Sequence, residues 1–327
     1  MFESAFTLVA HAPGGLALAC PRCRRPLSPT ADLARCPECA LRFTRERGVW
    51  RFLPPERELD LRRFIAEYRA VRRGEGWGSA GPAYYLALPF RDLSGRFEEI
   101  WRIRAASFST LLRRVVVPLE RERQRPLTAL DLGAGNGWLS HRLAELGHSL
   151  AAVDLSDDPR DGLGAHTWYP TRFTPVLADF DHLPFVADQA DLAVFNASLH
   201  YSPDVRRTLA EAFRVLREDG VVAVVDTPVY RDPRSGARMV LEQQRRFRDV
   251  HGVSGTGGAG EGFLLYRRVR ELAATLGLRA KLLRPVRWWP MRGRALLAGA
   301  RGRRETATFP VVVMRRAGRR EGHDAAR

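Results

Sequence analysis

Residues 127–230 alternate short apolar runs with amphipathic segments, and this alternation restricts the possible folds more than any other feature of the chain. Buried strands that alternate with helices predict a mostly parallel sheet with helices on both faces, so we predict an α/β fold. The predicted strands are 127–132, 149–154, 174–178, 191–195 and 221–226. Helical patterns cover 138–146, 205–217 and 263–276, and strand-like segments follow at 280–286 and 308–314.

A polar residue stands at or next to the end of each of the five strands in this central region. These residues are Asp131, Asp154, Asp179, Asn196 and Asp226. The carboxyl ends of parallel strands meet at one edge of a sheet, where ligands bind in folds of this kind. The five side chains therefore predict a ligand site at that edge.

A glycine loop follows the first strand, with glycines at 133, 135 and 137 and Asn136 between the last two. A dinucleotide-binding loop would have its third glycine where Trp138 stands. Asp131, two residues before the loop, would repel a pyrophosphate and attract an ammonium group. The loop therefore favours a cofactor with a cationic end and no phosphate, such as S-adenosylmethionine, over a nicotinamide dinucleotide.

The strand ends suggest how such a cofactor would be held. Asp154 is placed to accept hydrogen bonds from both ribose hydroxyls, and Asp179 and Phe180 are placed to hold the adenine by its amino group and its face. The complete set of predicted cofactor-binding residues is Asp131, Gly133, Gly135, Asn136, Gly137, Asp154, Asp179, Phe180 and Asn196.

The motif series resembles that of the class I S-adenosylmethionine-dependent methyltransferases of the type 11 group. The resemblance rests on the loop 129–137, on Asp154, on 178–185 and on the segments 191–196 and 211–220. It is clear over 127–227 and extends over 260–316 by element order. It implies a Rossmann-like sheet of seven strands whose last strand, 308–314, is antiparallel, with Gly133, Gly135, Asp154 and Asp179 contacting the cofactor.

All four cysteines lie between residues 20 and 39, in a C-x2-C-x12-C-x2-C pattern. Two such knuckles provide the four thiolates of a tetrahedral Zn²⁺ site, and a closed site of this kind is structural. Two disulfides or a redox pair are the alternatives. We predict a zinc ribbon with Cys20, Cys23, Cys36 and Cys39 as ligands and with strands at 16–19 and 41–43.

A zinc ribbon before such a domain is similar to the arrangement in bacterial ribosomal RNA guanine-N1 methyltransferases. The segment 48–54 resembles the one that follows their zinc site. Cys39 departs from the pattern, because those enzymes usually have a histidine among the last ligands. The resemblance to this narrower group is therefore partial.

The charge distribution leaves RNA and a small molecule both open as substrates. The formal net charge of +16 divides into +9 over 1–126, −8 over 127–230 and +15 over 231–327. Basic flanks would suit contacts with RNA phosphates. However, Lys281 is the only lysine, so the excess of arginine equally reflects codon bias.

The remaining segments complete the predicted organisation. We expect a zinc ribbon at 1–55, leading helices at 56–126 that include 56–73 and 95–116, a methyltransferase domain at 127–316 and a disordered tail at 317–327. The glycine-rich segment 252–262 is a lid or a plain linker. A membrane span is not expected, and the predicted compartment is the cytoplasm, where clustered thiols usually bind metal.

Three residues are candidates for the chemical step. His200 and Tyr201 follow the fourth strand, where they would border the transferred methyl group, and Tyr230 follows the fifth. His200 would accept a proton from the acceptor and Tyr201 would face the sulfonium, or both would only shape the pocket or cap the helix that begins near Asp204. Tyr230 would line the acceptor pocket or pack at a turn. The predicted function is methyl transfer to an unidentified acceptor, either a small molecule or an RNA base. The alternative is a non-enzymatic RNA-binding or scaffold protein with a vestigial cofactor site. The oligomeric state is not predicted.

Overall fold

The computed structural model describes residues 15–253, 260–285 and 304–317. A ten-stranded sheet forms the centre of this part of the chain, in the order β1-β2-β3-β6-β5-β4-β7-β8-β12-β11. The strands are β1 Leu33–Arg35, β2 Arg42–Glu46, β3 Val49–Arg51, β4 Thr128–Leu132, β5 Ser149–Asp154, β6 Thr174–Leu177, β7 Ala190–Asn196, β8 Leu216–Val225, β9 Val229–Tyr230, β10 Leu264–Leu265, β11 Leu278–Leu283 and β12 Val311–Arg316. The helices are α1 Pro55–Glu75, α2 Pro82–Ala87, α3 Glu98–Leu111, α4 Val117–Arg123, α5 Trp138–Glu145, α6 Val205–Val215, α7 Pro233–His251 and α8 Tyr266–Thr275.

Seven strands, from β6 to β11 in sheet order, form the predicted α/β core. The pairs among β6, β5, β4, β7 and β8 are parallel, whereas β12 pairs with β8 in the antiparallel direction. This arrangement confirms the Rossmann-like sheet and its antiparallel last strand. The strand order reverses beside β4, which lies between β5 and β7. Such a reversal opens a crevice at the carboxyl ends of the strands, and the glycine loop follows β4 at that point.

Several segments differ from the predicted elements. The single helix expected at 95–116 consists of α3 and a π-helical turn at Leu112–Val116, and α4 continues the helical path beyond it. Pro118 has no backbone N–H to donate to the preceding turn, which accounts for the interruption. The expected strand at 16–19 forms only isolated bridges, from Leu18 to Phe185 and from Ala19 to Pro26. The predicted tail lies outside the described residues beyond Ala317, as do residues 254–259 of the glycine-rich segment and the end of strand 280–286.

The cysteine-bearing segment is joined to the central sheet. Strand β3 pairs with β2 in the antiparallel direction and with β6 in the parallel direction, where Trp50 lies opposite Val176. Phe43 and Phe52 belong to the same buried apolar cluster as Val153 of β5. The ribbon therefore extends the edge of the sheet and shares its core. Within the described residues, no helix is long and apolar enough to cross a bilayer.

Candidate functional site

Two adjoining cavities lie at the carboxyl edge of the sheet, with volumes of about 510 Å³ and 340 Å³. Gly133 and Ala197 contribute to both, and so do the rings of Tyr68 and Tyr201. Helix α1 supplies side chains to both cavities and covers them. The strand ends and α1 therefore enclose one divided cleft at the position predicted from the sequence.

The glycine loop brings its backbone to the surface of this cleft. Gly133 and Gly135 have φ angles of +77° and +55°, a region that favours glycine. A Cβ atom on Gly133 would lie 2.2 Å from the Cβ of Ser198, whereas a Cβ on Gly135 would meet nothing within 4 Å. Gly135 therefore faces open space, and a side chain at this position would enter the larger cavity that it lines.

Besides Gly133 and Tyr201, which line both cavities, the smaller cavity contains the predicted residues Asp154, Asp179 and Phe180. The Asp154 carboxylate accepts hydrogen bonds from the backbone N–H groups of Gly135 and Ser156, each at 2.8 Å. Burial raises the pKa of Asp154 above its ordinary value. Its two backbone hydrogen bonds fix the carboxylate at the end of β5, with acceptor capacity left for a ligand hydroxyl.

Asp179 already has several partners in the smaller cavity. Arg57 donates from Nη2 at 2.6 Å, and His182 Nδ1 lies 3.1 Å from the same oxygen. Burial alone would raise the pKa of Asp179, but these hydrogen bonds outweigh it and lower the pKa overall. A ligand amino group would therefore share this carboxylate with Arg57.

The larger cavity contains Asn136, Asn196, His200 and Tyr201 from the predicted set. The Oδ1 atom of Asn196 is buried and has no hydrogen-bond partner among the described residues. Burial lowers the pKa of His200 to about 4, so its imidazole is neutral at pH 7 and is a weak base. The rings of His200 and Tyr201 pack against each other with centroids 4.3 Å apart.

Three predicted residues lie away from both cavities. Asp131 is completely buried behind the glycine loop, where Ser140 of α5 donates to it at 2.8 Å, so it does not reach a ligand from this position. Gly137 is the N-cap of α5, with φ +81°, and faces Phe173. Tyr230 is buried against Phe263, with ring centroids 5.7 Å apart.

Several residues of the cleft were not assigned a role by the sequence analysis. Asp226 was identified only as a strand end, yet it lines the larger cavity with both carboxylate oxygens unpartnered among the described residues. Arg104 of α3 lines the same cavity. Tyr68 and Arg57 of α1 reach the cleft because the helix folds back over the sheet. Periodicity placed Arg57, Tyr68 and Arg104 on predicted helices, but the sequence does not indicate where those helices pack.

The four cysteines form one cluster. Their Sγ atoms all lie within 4.8 Å of one another, and none of the four is in a disulfide. In a tetrahedral zinc site with Zn–S bonds of about 2.3 Å, the sulfur atoms lie roughly 3.8 Å apart. The arrangement is therefore compatible with a structural Zn²⁺.

The fold and the cleft agree with the resemblance to S-adenosylmethionine-dependent methyltransferases. Residues 130–224 match the family described as a methyltransferase domain, which confirms the resemblance found in the sequence. The match covers β4 to β8 and therefore includes the glycine loop and four of the five strand ends.

Comparisons with individual proteins extend over parts of the chain. A malonyl-(acyl-carrier protein) O-methyltransferase of Salmonella typhimurium is 36% identical over 100 residues, which are 29% of this chain and 37% of that protein. The mitochondrial arginine-hydroxylase NDUFAF5 of Homo sapiens is 37% identical over 100 residues, 30% of this chain and 28% of that protein. The crystal structure of an S-adenosylmethionine-dependent methyltransferase from Mesorhizobium loti is 23% identical, with a TM-score of 0.43, and covers 58% of this chain and 91% of that one.

The chain spans about a third of the length of these two curated relatives. One of the two is named as a methyltransferase and the other as a hydroxylase. Similarity in this segment therefore does not specify the reaction or the substrate.

Proposed function

We propose that the protein is an S-adenosylmethionine-dependent methyltransferase that acts on a small molecule. The observation that carries the proposal is the divided cleft, in which the glycine loop and Asp154 adjoin a second cavity large enough for an acceptor. The cofactor supplies an electrophilic methyl group when it is bound. The protein then has to bind the cofactor and the acceptor, orient them toward each other and exclude water.

The residues of the smaller cavity suit the nucleoside of this cofactor. Asp154 would accept hydrogen bonds from the ribose hydroxyls, while Asp179 and Phe180 would border the adenine. Gly133 and Gly135 allow the backbone to approach the ligand because neither has a side chain. Asn136 and Asn196 line the adjoining cavity, where the amino-acid end would lie.

His200 and Tyr201 would shape the space around the methyl group. Because the pKa of His200 is about 4, we assign it a positioning role rather than that of general base. Tyr201 lies between the two cavities, with its ring 6.0 Å from those of Phe64 and Tyr68. Its face is available to a sulfonium group at the boundary.

The ion pairs of the ribbon favour a small acceptor over RNA. Arg22 pairs with Glu56 at 2.6 Å, and Arg25 pairs with Glu38 at 3.1 Å. Arg24 pairs with Glu211 of α6. Three arginines of the basic N-terminal flank are thus directed toward acids of the same chain. Malonyl-(acyl-carrier protein), named for the Salmonella relative, places a small malonyl group on a protein and is a second acceptor to test.

We also assign a structural Zn²⁺ to the four cysteines and place the protein in the cytoplasm, where free thiols persist. Isothermal titration of the purified protein with S-adenosylmethionine and with NADH tests the proposed function. We expect stoichiometric, micromolar binding of the first and none of the second. Absence of S-adenosylmethionine binding would instead indicate a scaffold protein with a vestigial cofactor site.

A further inference from the structure

Most charges that line the larger cavity are neutralised within the protein. Arg72 donates from Nη2 to Asp161 at 2.9 Å. Arg246 donates to Glu75 at 2.6 Å. The four side chains of these two pairs neutralise one another. The charged side chains of the cavity that remain unpaired are therefore the ones available to a ligand.

Asp226 is one of these remaining groups. Its side chain is 7% exposed, and neither carboxylate oxygen has a hydrogen-bond partner among the described residues. Its backbone has φ +54°, which is unusual for a residue with a side chain and is typical of functional sites. The Ser107 hydroxyl lies beside this carboxyl, and a donor from a ligand would stabilise it further, since a buried carboxylate that lacks hydrogen bonds is costly.

Two arginines also remain: Arg96, which is exposed, and Arg104, which is partly buried. Arg104 has no hydrogen bond or ion pair among the described residues, and its guanidinium lies over the rings of Trp101 and Trp77, at 4.5 Å and 5.5 Å from their centroids. The aromatic faces hold the guanidinium in one orientation while its N–H groups stay available. Arg104 and Asp226 line the larger cavity and not the smaller one.

Arg104 and Asp226 lie apart from the proposed nucleoside site. Asp154 and Asp179 lie on the other side of Tyr68 and Tyr201, in the smaller cavity. Asp226 follows β8, one strand further from β5 than the end of β7. Resting on the proposed methyltransferase function, we propose that Arg104 and Asp226 select the acceptor, a small organic acid that presents its anionic group to Arg104 and an O–H or N–H group to Asp226.

In the proposed step, the oxygen or nitrogen of the acceptor forms a bond to the methyl carbon while the bond between that carbon and sulfur breaks. The electron pair of the broken bond remains on sulfur, and the sulfonium becomes a neutral thioether. The proton of the acceptor passes to the Asp226 carboxylate, which releases it to solvent after the product leaves. Ser107 and Arg104 are the side chains that act on the Asp226 carboxyl, and His200 lines the same cavity.

The test uses the full-length protein and the variants Arg104→Gln, Arg104→Lys and Asp226→Asn. Arg102→Gln is the matched control, because Arg102 lies on α3 with 55% of its side chain exposed. Binding of S-adenosylhomocysteine is measured first by calorimetry. Each protein is then incubated with methyl-labelled S-adenosylmethionine and a bacterial small-molecule extract, divided by anion exchange into retained and unretained fractions.

We expect each variant to bind S-adenosylhomocysteine within about threefold of wild type, since their residues lie outside the nucleoside cavity. Labelled product should come from the retained, anionic fraction. Arg104→Gln and Asp226→Asn should lower its formation at least about 30-fold, as expected for loss of a charged hydrogen bond. Arg104→Lys should recover part of the loss, and Arg102→Gln should match wild type.

Three outcomes would overturn the inference. They are a product from the unretained fraction only, full activity of Arg104→Gln, and a loss of S-adenosylhomocysteine affinity in Arg104→Gln that equals its loss of activity. The last would show that Arg104 holds the cofactor rather than the acceptor. A wild-type protein that does not bind S-adenosylmethionine at all would instead refute the proposed function, and calorimetry reports this separately.

Discussion

Arg57 donates two hydrogen bonds to a single carboxylate oxygen of Asp179, from Nε at 2.9 Å and from Nη2 at 2.6 Å. This contact joins the first turn of α1 to the cavity that we assign to the cofactor nucleoside. Further along α1, Arg69, Arg72 and Arg73 pair with acids of the loop after β5. Val71 is the one residue of α1 that is fully buried, so ion pairs, together with the ring contacts of Phe64 and Tyr68 with Tyr201, hold this helix over the cleft.

Removal of the Arg57 contact should loosen the cover of the cleft. For Arg57→Ala we expect S-adenosylhomocysteine to dissociate about tenfold faster, because one charged contact worth on the order of 1–2 kcal/mol is lost while the contacts of Arg69, Arg72 and Arg73 remain. Stopped-flow displacement measures this rate. Arg62→Ala, on the exposed side of the same helix, is the control and should leave the rate unchanged. Equal rates for Arg57→Ala and wild type would refute the role of this contact.

The second prediction concerns the affinity of the proposed nucleoside site for the cofactor. Asp154→Ala should weaken S-adenosylmethionine binding about 100-fold, because both ribose hydroxyls lose a charged acceptor. Gly135→Val should have a similar effect, since its backbone has φ +55° and its side chain would enter the cavity. Calorimetry measures both affinities. Asp219→Ala, at an exposed position far from the cleft, is the control. Unchanged affinity in both variants would remove the basis of the proposed function.

The buried carboxylate of Asp131 predicts a pH dependence of stability. Burial raises its pKa to about 7 in the folded chain, against about 4 when unfolded. The folded state therefore retains a proton that the unfolded state loses, and this contribution to stability is complete below about pH 4 and is lost as the pH rises to about 7.

Asp131→Asn should remove this dependence, because asparagine does not ionise and can still accept from Ser140. Relative to wild type, the variant should gain on the order of 2 kcal/mol at pH 8 and much less at pH 5. Urea unfolding at the two pH values measures the difference. A constant difference between the two proteins at both pH values would contradict the shifted pKa.

Because the ribbon and the sheet share one core, loss of the metal should lower the stability of the whole chain. The purified protein should contain about one zinc per chain, and Cys36→Ser should lose it. Because β3 pairs with β6 and Phe52 lies in the common core, we expect the midpoint of thermal unfolding to fall for the whole chain. Elemental analysis and calorimetry measure the two effects. Metal-free protein with two disulfides would contradict the assignment.

The ion pairs of the ribbon predict weak binding to RNA. Arg35 and Arg42 are exposed and have no ion-pair partner among the described residues, so they are the arginines to test. We expect weak binding that changes little in the Arg35→Gln, Arg42→Gln double variant. Fluorescence anisotropy from low to high salt measures it. Tight, salt-dependent binding that the double variant abolishes would restore RNA as the acceptor.

The sequence alone determined the core of the fold and the kind of cofactor. Apolar runs with polar ends recur from β4 to β8, and this local pattern is sufficient for a parallel sheet with a ligand at one edge. The glycine loop and Asp154 follow directly from their position after β4 and at the end of β5. The cysteine spacing likewise predicted the cluster, because two C-x2-C knuckles need only a short chain to meet.

Only the tertiary structure decided which side chains reach the cleft. Asp131 and Asp226 both stand near strand ends, but Asp131 turns behind the loop toward Ser140, whereas Asp226 lines the larger cavity. Arg57 and Arg104 approach from helices outside the family match, and long-range charge pairing and aromatic packing determine where those helices lie. A local sequence pattern does not reveal such contacts, because their partners lie far apart in the chain, as Arg57 and Asp179 do at a separation of 122 residues.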